Sequence, residues 1–256
     1  MSTVTSAQIS PQPVVYVPQV PPANSDFEDF IYLISHDVRN SVRALIDLPQ
    51  WIVEDLESAG VKIDKSVAES IDLMNTHTGR LDRMLVDLLA YSRVGRMQDV
   101  ADVDIGTALQ EVLEETRIPQ GFGVITDIAH KTLRIGERDA LSLLAALVTN
   151  GFRHHDRDTG TIKLSVMKRG GSVCIEVADD GPGIPASCRE RVFAAMTTLR
   201  PRDEIEGSGM GLAIVQKIAA TYGGTAEIVE TGALRGTLVR VIIPAPISVT
   251  GRVCSF

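Results

Sequence analysis

Two apolar stripes of helical period constrain this chain more than any other feature of its sequence. Ser25 or Asp26 can cap a helix, and Phe27, Phe30, Ile31, Ile34, Val38, Val42, Leu45, Ile52 and Leu56 then recur at spacings of three, four or seven. Gly60 supplies a stop. A second stripe follows Asp64 through Val67, Ile71, Met74, Leu81, Leu85, Leu88 and Leu89, and ends near Gly95. About 30 residues at 1.5 Å each make a rod of about 45 Å, which Pro49 is expected to kink. The stripes predict an αα-hairpin with apolar surface left over. Two hairpins side by side bury it as a four-helix bundle, so a homodimer is expected. Trp51 and Phe27 read as core of that bundle, and His77 as one of its structural residues.

The rest of the chain changes character on both sides of the hairpin. Residues 1–25 hold Pro11, Pro13, Pro18, Pro21 and Pro22 with no charged residue before Asp26. That composition reads either as a flexible leader or as a docking strand for a partner. Met97 to Val103 is short and polar, a linker. Beyond it come a capped helix from Asp104 to Thr116, short strands at Gly123 to Ile128 and Thr132 to Ile135, and a helix from Glu137 to Phe152. Strands at Thr161 to Met167 and Ser172 to Val177 flank Lys168-Arg169-Gly170-Gly171, a hairpin signal. Ser187 to Ala194 and Gly211 to Tyr222 read as helical, and strands at Thr225 to Val229 and Thr237 to Ile243 close the pattern. The whole is expected to be α+β, a helical hairpin over 26–96 followed by an α/β sandwich over 97–246, with a tail at 247–256.

Charge and cysteine usage exclude several classes. Lys and Arg number 25 against 33 Asp and Glu, a net charge of -8, the wrong sign for binding nucleic acid or an anionic membrane. No apolar run approaches the roughly 18 residues of a membrane span. No basic patch followed by an apolar block opens the chain, as a secretory signal would. Cys174, Cys188 and Cys254 are scattered and form neither a disulfide framework nor a zinc site. A soluble, cytoplasmic protein is expected.

Two glycine clusters carry the chemistry. Asp179-Asp180-Gly181-Pro182-Gly183-Ile184 follows a predicted strand, and Gly207-Ser208-Gly209-Met210-Gly211-Leu212 opens a predicted helix. Glycines let backbone approach a ligand, and amides at a helix start favour an anion. A carboxylate at a strand end can accept a hydrogen bond from an exocyclic amine such as adenine's. The helix before them ends in Asn150, whose side-chain oxygen suits Mg²⁺ or simply finishes a helix before Gly151. Arg153, His154 and His155 follow, either as phosphate contacts or as the helix end. There is no lysine of a P-loop and no acidic residue where a dinucleotide fold needs one.

In the order Asn150, then Asp179-x-Gly-x-Gly, then Gly-x-Gly-x-Gly, the chain resembles the ATP-binding domain of sensor histidine kinases, which shares its Bergerat-like fold with the gyrase, Hsp90 and MutL ATPases. The resemblance implies that Asn150 ligates magnesium and that Asp179 reads adenine. It also implies that Gly207, Gly209 and Gly211 flank a lid over the phosphates, about Pro185 to Glu206. Phe193 resembles the family's lid phenylalanine, and Thr197, Thr198, Arg200 and Arg202 are the polar groups nearest the implied phosphate path. In the hairpin, Ile34-Ser35-His36-Asp37-Val38-Arg39-Asn40 resembles the family's phosphoacceptor box. His36 stands two positions from both Ile34 and Val38, opposite the stripe, and a neutral imidazole is a nucleophile near pH 7. Asp37 can orient the ring and accept its proton. Asn40, one turn on, is implied to position the water that dephosphorylates a partner's aspartyl phosphate.

The resemblance implies a two-component kinase that uses ATP and Mg²⁺ to phosphorylate His36, then passes the phosphoryl group to an Asp of a response-regulator receiver domain. Because only about two dozen residues precede the hairpin, a separate sensor protein is expected to supply the input. Two departures stand out: Ser41 where the family often has proline, and Ala146 where it usually has asparagine. The hydrolysing relatives carry a water-activating Glu at the position of Ala146, so a chaperone-like or DNA-repair ATPase is disfavoured. A phosphotransfer or scaffold protein with a decayed nucleotide site is the alternative reading.

Overall fold

In a computed structural model, residues 25–200, 207–230 and 235–245 are described, with side chains from residue 37 onward. The expected tail and all of the expected leader except Ser25 lie outside the described residues. Helix α1 (Ser25–Ser58) and helix α2 (Lys65–Arg93) pack against each other as the predicted hairpin. The Asp64 side chain accepts from the Val67 amide at 2.9 Å and starts α2, while Gly60, at φ 70°, turns the chain out of α1. Pro49 does not break α1, which runs through it as one helix of 34 residues. The proline is buried with Val42 one heptad earlier, on the seam facing α2. Part of each stripe stays uncovered in the single chain, Leu45 at 47% exposed and Met74 at 42%, as does Trp51, read as bundle core, at 55%. Among the described residues no helix is long and apolar enough to cross a membrane.

After Gly95 (φ 72°) the expected linker contains a strand. Strand β1 (Val100–Asp104) pairs antiparallel with β3 (Thr132–Gly136), Asp104 opposite Thr132. Its partner lies some thirty residues away, so its own short polar sequence did not announce it. Asp104 ends β1 and caps helix α3 (Ile105–Glu115), its carboxylate accepting from the Thr107 amide at 2.9 Å. That bond holds the Asp104 carboxyl below the usual carboxylate range.

Strands β2 (Phe122–Ile128), β4 (Gly160–Arg169), β5 (Ser172–Asp179), β6 (Thr225–Val229) and β7 (Leu238–Pro244) form one sheet in the order β2-β4-β5-β7-β6. The β2–β4 pair is parallel and the others antiparallel. Gly170 and Gly171, both at positive φ, make the two-residue turn between β4 and β5. Helices α3, α4 (Glu137–Arg153) and α5 (Gly211–Thr221) bury their apolar faces against the sheet. Leu143, Leu144 and Leu147 of α4 meet Ile162, Leu164 and Ile175 there, each worth about 2 kcal/mol of burial. Ser187 to Ala194, read as helical, is instead two 3₁₀ turns, Ala186–Cys188 and Arg191–Phe193. The hairpin and sandwich together confirm the α+β expectation.

Candidate functional site

A cleft of about 660 Å³ opens between α4, the end of β5, the start of β7 and the N-terminus of α5. Helix periodicity sets its first wall. Ala146, Thr149, Asn150 and Arg153 line the cleft at spacings of three and four, one face of α4. Its opposite face carries Leu144, Leu147 and Val148 into the core. Gly151, on the core side, packs where a Cβ would collide with the Ile162 side chain.

Asp179 lines the cleft from the last position of β5 and is its only carboxylate among the described residues. Its Oδ1 accepts two backbone bonds, from Gly181 at 2.9 Å and Thr237 at 3.0 Å. The Thr237 side chain also bonds to the carboxylate, which the cleft exposes to a ligand. Burial pushes the Asp179 carboxyl above the usual range, against the pull of those two amides. Asp180 does something else. Its Oδ1 accepts from the Thr161 amide at 2.8 Å and faces His155 Nε2 at 3.2 Å, and the Thr161 bond keeps its carboxyl below the usual range.

Backbone forms the wall beside Asp179. Gly236, at φ 107°, lies so close that a Cβ would strike the Asp179 carbonyl, and Gly183, at φ 80°, faces the Gly236 carbonyl oxygen at 3.0 Å from where its own Cβ would stand. Arg235 closes the rim, donating to the Asp180 carbonyl oxygen at 3.0 Å and pairing with Asp156.

The second glycine cluster lies across the cleft. Gly209, at φ 72°, passes the backbone of Met196 and Thr197 so closely that a Cβ would come within 2.7 Å of the Thr197 oxygen. Ser208 is buried, and its Oγ accepts from the Met210 amide at 3.1 Å. Helix α5 begins at Gly211 with no acidic residue in its first turn and no side-chain cap, which leaves amides for an anion. Arg153, Arg189, Arg200 and His154 add positive charge or donors to the lining. Withdrawal of the His154 ring from water lowers its pKa, with the charges of Arg153 and Arg200 acting in the same direction.

Of the residues singled out in the sequence, Asn150, Arg153, His154, Asp179, Gly183, Ile184, Thr197, Thr198, Gly207, Ser208, Gly209, Gly211 and Leu212 line the cleft. Gly181, Met210 and His155 are not in the lining. Gly181 supplies the amide that fixes Asp179, and Met210 is buried behind the glycine cluster. His155 braces the fold instead of facing ligand. Its side chain is 1% exposed, set edge-on to Phe122 at 5.2 Å, and accepts from the Arg157 amide at 3.1 Å. Phe193 is buried in the core while its neighbour Val192 lines the cleft. Residues 201–206 of the expected lid, Arg202 included, lie outside the described residues. Gly236, Thr237 and Arg235 escaped the sequence reading. A Gly-Thr pair just before the last strand is their only mark, and that pair alone is too common to be noticed.

Asp37 and Asn40 are exposed on α1, and His36 belongs to the same helix with its side chain outside the described set. Neither Asp37 nor Asn40 lines the cleft. Among the described residues no cluster of three or more His, Cys, Asp or Glu could cage a metal. A magnesium ion held by Asn150 would complete its shell from water and ligand oxygens.

Residues 136–247 match the family of histidine kinase-, DNA gyrase B-, and HSP90-like ATPases. The chain is 29% identical over 237 residues to the methanogenesis regulatory histidine kinase FilI of Methanothrix harundinacea, covering 89% of this chain and 26% of that protein. It is 28% identical over 210 residues to the sensor-like histidine kinase SenX3 of Mycobacterium tuberculosis, covering 78% and 50%. The chain thus spans half or less of the length of these curated relatives. Among solved structures, full-length ShkA in complex with AMPPNP superposes with a TM-score of 0.64 at 22% identity, over 85% of this chain and 46% of that one. Histidine kinase ThkA in complex with response regulator protein TrrA gives 0.58 at 18% identity, over 86% and 63%. At those identities the structural likeness establishes the fold.

Proposed function

We propose that the chain is a sensor histidine kinase that phosphorylates its own His36 from ATP and passes the phosphoryl group to an aspartate of a response regulator, a reading supported by the ATPase family match over residues 136–247 and by the likeness to FilI and SenX3. One observation carries the reading. Asp179 is pinned by two backbone amides inside a cleft whose far side is an uncapped, glycine-built helix start. That arrangement has an acceptor for the adenine amino group at one end and amides for phosphates at the other.

In this reading residues 97–246 hold nucleotide, and the hairpin of 26–96 dimerises and carries the phosphoacceptor. The Asp179 carboxylate accepts from the adenine amine. Gly207, Ser208, Gly209 and Gly211 offer backbone to the phosphates, and Arg153, Arg200, Thr197 and Thr198 meet their oxygens. Asn150 would hold magnesium, which supplies charge neutralisation between phosphate groups when bound. An unprotonated nitrogen of His36 attacks the γ-phosphorus. An N–P bond forms, the bond to the bridging oxygen breaks, and ADP leaves with that electron pair. Asp37 stabilises the ring and takes its proton. Catalysis is chiefly positioning and charge neutralisation, so Ala146 in place of a water-activating carboxylate does not impede transfer. Asn40 orients water on the regulator's aspartyl phosphate, giving a phosphatase activity in the reverse sense. A homodimer in the cytoplasm completes the reading. The complex in which ThkA was solved supports the regulator as partner.

Incubation with γ-labelled ATP tests the reading. Acid-labile label is expected on the wild type and absent from His36→Ala. Label of undiminished amount on that variant overturns the proposal.

A further inference from the structure

The glycine cluster leans on the helical hairpin as well as on the cleft. Gly207 and Ser208 line the main cleft and also a second cavity of about 390 Å³, whose other wall is α2 through Arg80, Leu81 and Met84. A hydrogen bond crosses at this wall. The buried Ser208 hydroxyl donates to Oδ2 of Asp87 while accepting from the Met210 amide at 3.1 Å. Met84, Asp87 and Tyr91 share one face of α2, at spacings of three and four. Lys217 of α5 anchors the same face one turn further on. Its Nζ donates to the Tyr91 carbonyl oxygen at 2.8 Å and stands 4.2 Å from the ring centre.

Charge makes the serine bond conditional. The hydroxyl proton that a phosphate oxygen would use is committed to a carboxylate. Phosphates seated on this cluster stand beside Asp87, and two anions drawn to one donor repel each other. We propose that the Asp87–Ser208 bond is a latch that seats the glycine cluster on α2 and is opened when phosphate groups occupy the cluster. The inference rests on the nucleotide reading given above. Linkage makes the opposition reciprocal: docking on the hairpin weakens nucleotide binding by the same factor by which nucleotide weakens docking.

The register of the hairpin gives the latch its place. Arg39 Nε lies 3.7 Å from Asp82 Oδ1. His36, three residues before Arg39, is displaced about 4.5 Å along α1, which on an antiparallel partner is the level of Leu85, half a turn from Asp87. The latch therefore holds the cluster at the height of the phosphoacceptor.

Calorimetric titration with a non-hydrolysable ATP analogue and Mg²⁺ reads the latch. Asp87→Asn keeps an acceptor for the serine and removes the charge; Asp87→Ala removes both. Each is expected to bind about tenfold more tightly than wild type. In addition, the Met210 amide is expected to exchange with solvent faster in nucleotide-free Asp87→Ala than in wild type. Wild-type binding with Asp87→Asn no tighter overturns the latch and leaves the nucleotide reading standing. Unchanged Met210 exchange in Asp87→Ala also overturns it. If none of the three proteins binds the analogue, the nucleotide reading falls, and the latch falls with it.

Discussion

Asp179 and Asp180 are chemically identical neighbours with different tasks, and the difference is written in which amides reach them. The Asp180 oxygen is occupied by Thr161 and His155 and frames the β4 end, whereas the Asp179 carboxylate lines the cleft. Replacing one of its oxygens by an amide nitrogen turns an acceptor into a donor facing another donor. Asp179→Asn is therefore expected to weaken ATP-analogue affinity about 100-fold in calorimetry, close to the penalty for leaving buried polar groups unpaired, while Asp180→Asn leaves it within a few fold. The sequence carried Asp179 legibly because a carboxylate before Gly-x-Gly at a strand end is a rare conjunction. It did not carry the fate of His155, whose burial depends on Phe122 and Asp180 arriving from distant strands.

Helices and strands were legible wherever their own residues decide their ends, as at Asp64 and Asp104. Elements decided by remote partners were not, and β1 is the clearest case. The same non-local logic governs the junction between the hairpin and the sandwich. Asp139, in the first turn of α4 and 2% exposed, accepts through Oδ2 from the Gly95 amide at 2.8 Å and from the Tyr222 hydroxyl at 2.7 Å. Tyr222 in turn accepts from the Gly136 amide at 3.0 Å. The ends of β3 and α5 and the start of α4 thus meet at one phenol, and the chain leaving α2 joins them through Asp139. Burial, reinforced by the Asp139 bond, pushes that phenol up to about 12. A raised folded-state value means its stabilisation is complete below the unfolded value near 10 and is lost as pH rises through about 12. Tyr222→Phe is expected to cost about 2 kcal/mol, a fall in Tm of roughly 5 °C. Its loss of stability between pH 10 and 12 should be shallower than that of wild type in thermal melts.

At the scale of the molecule, one chain leaves the hairpin half covered. Leu45, Trp51, Ile52 and Leu73 stay exposed on helices whose other faces are paired, the amount of apolar surface that a second copy would cover. Ile52→Glu combined with Leu73→Glu is expected to halve the mass seen by light scattering while ATP-analogue affinity stays within a few fold; an unchanged mass removes the dimer. The remoteness of that surface from the cleft also separates two kinds of vulnerability. At the Asp179 end, Gly236 lies where a Cβ would strike backbone, and Gly183, at φ 80°, has the Gly236 oxygen 3.0 Å from where its Cβ would stand, so a side chain at either position strains the backbone there. An antibiotic scaffold anchored there and on the Asp179 carboxylate leaves escape to the opposite end, among Thr197, Thr198 and Arg200, and resistance surveys of such compounds should look there first.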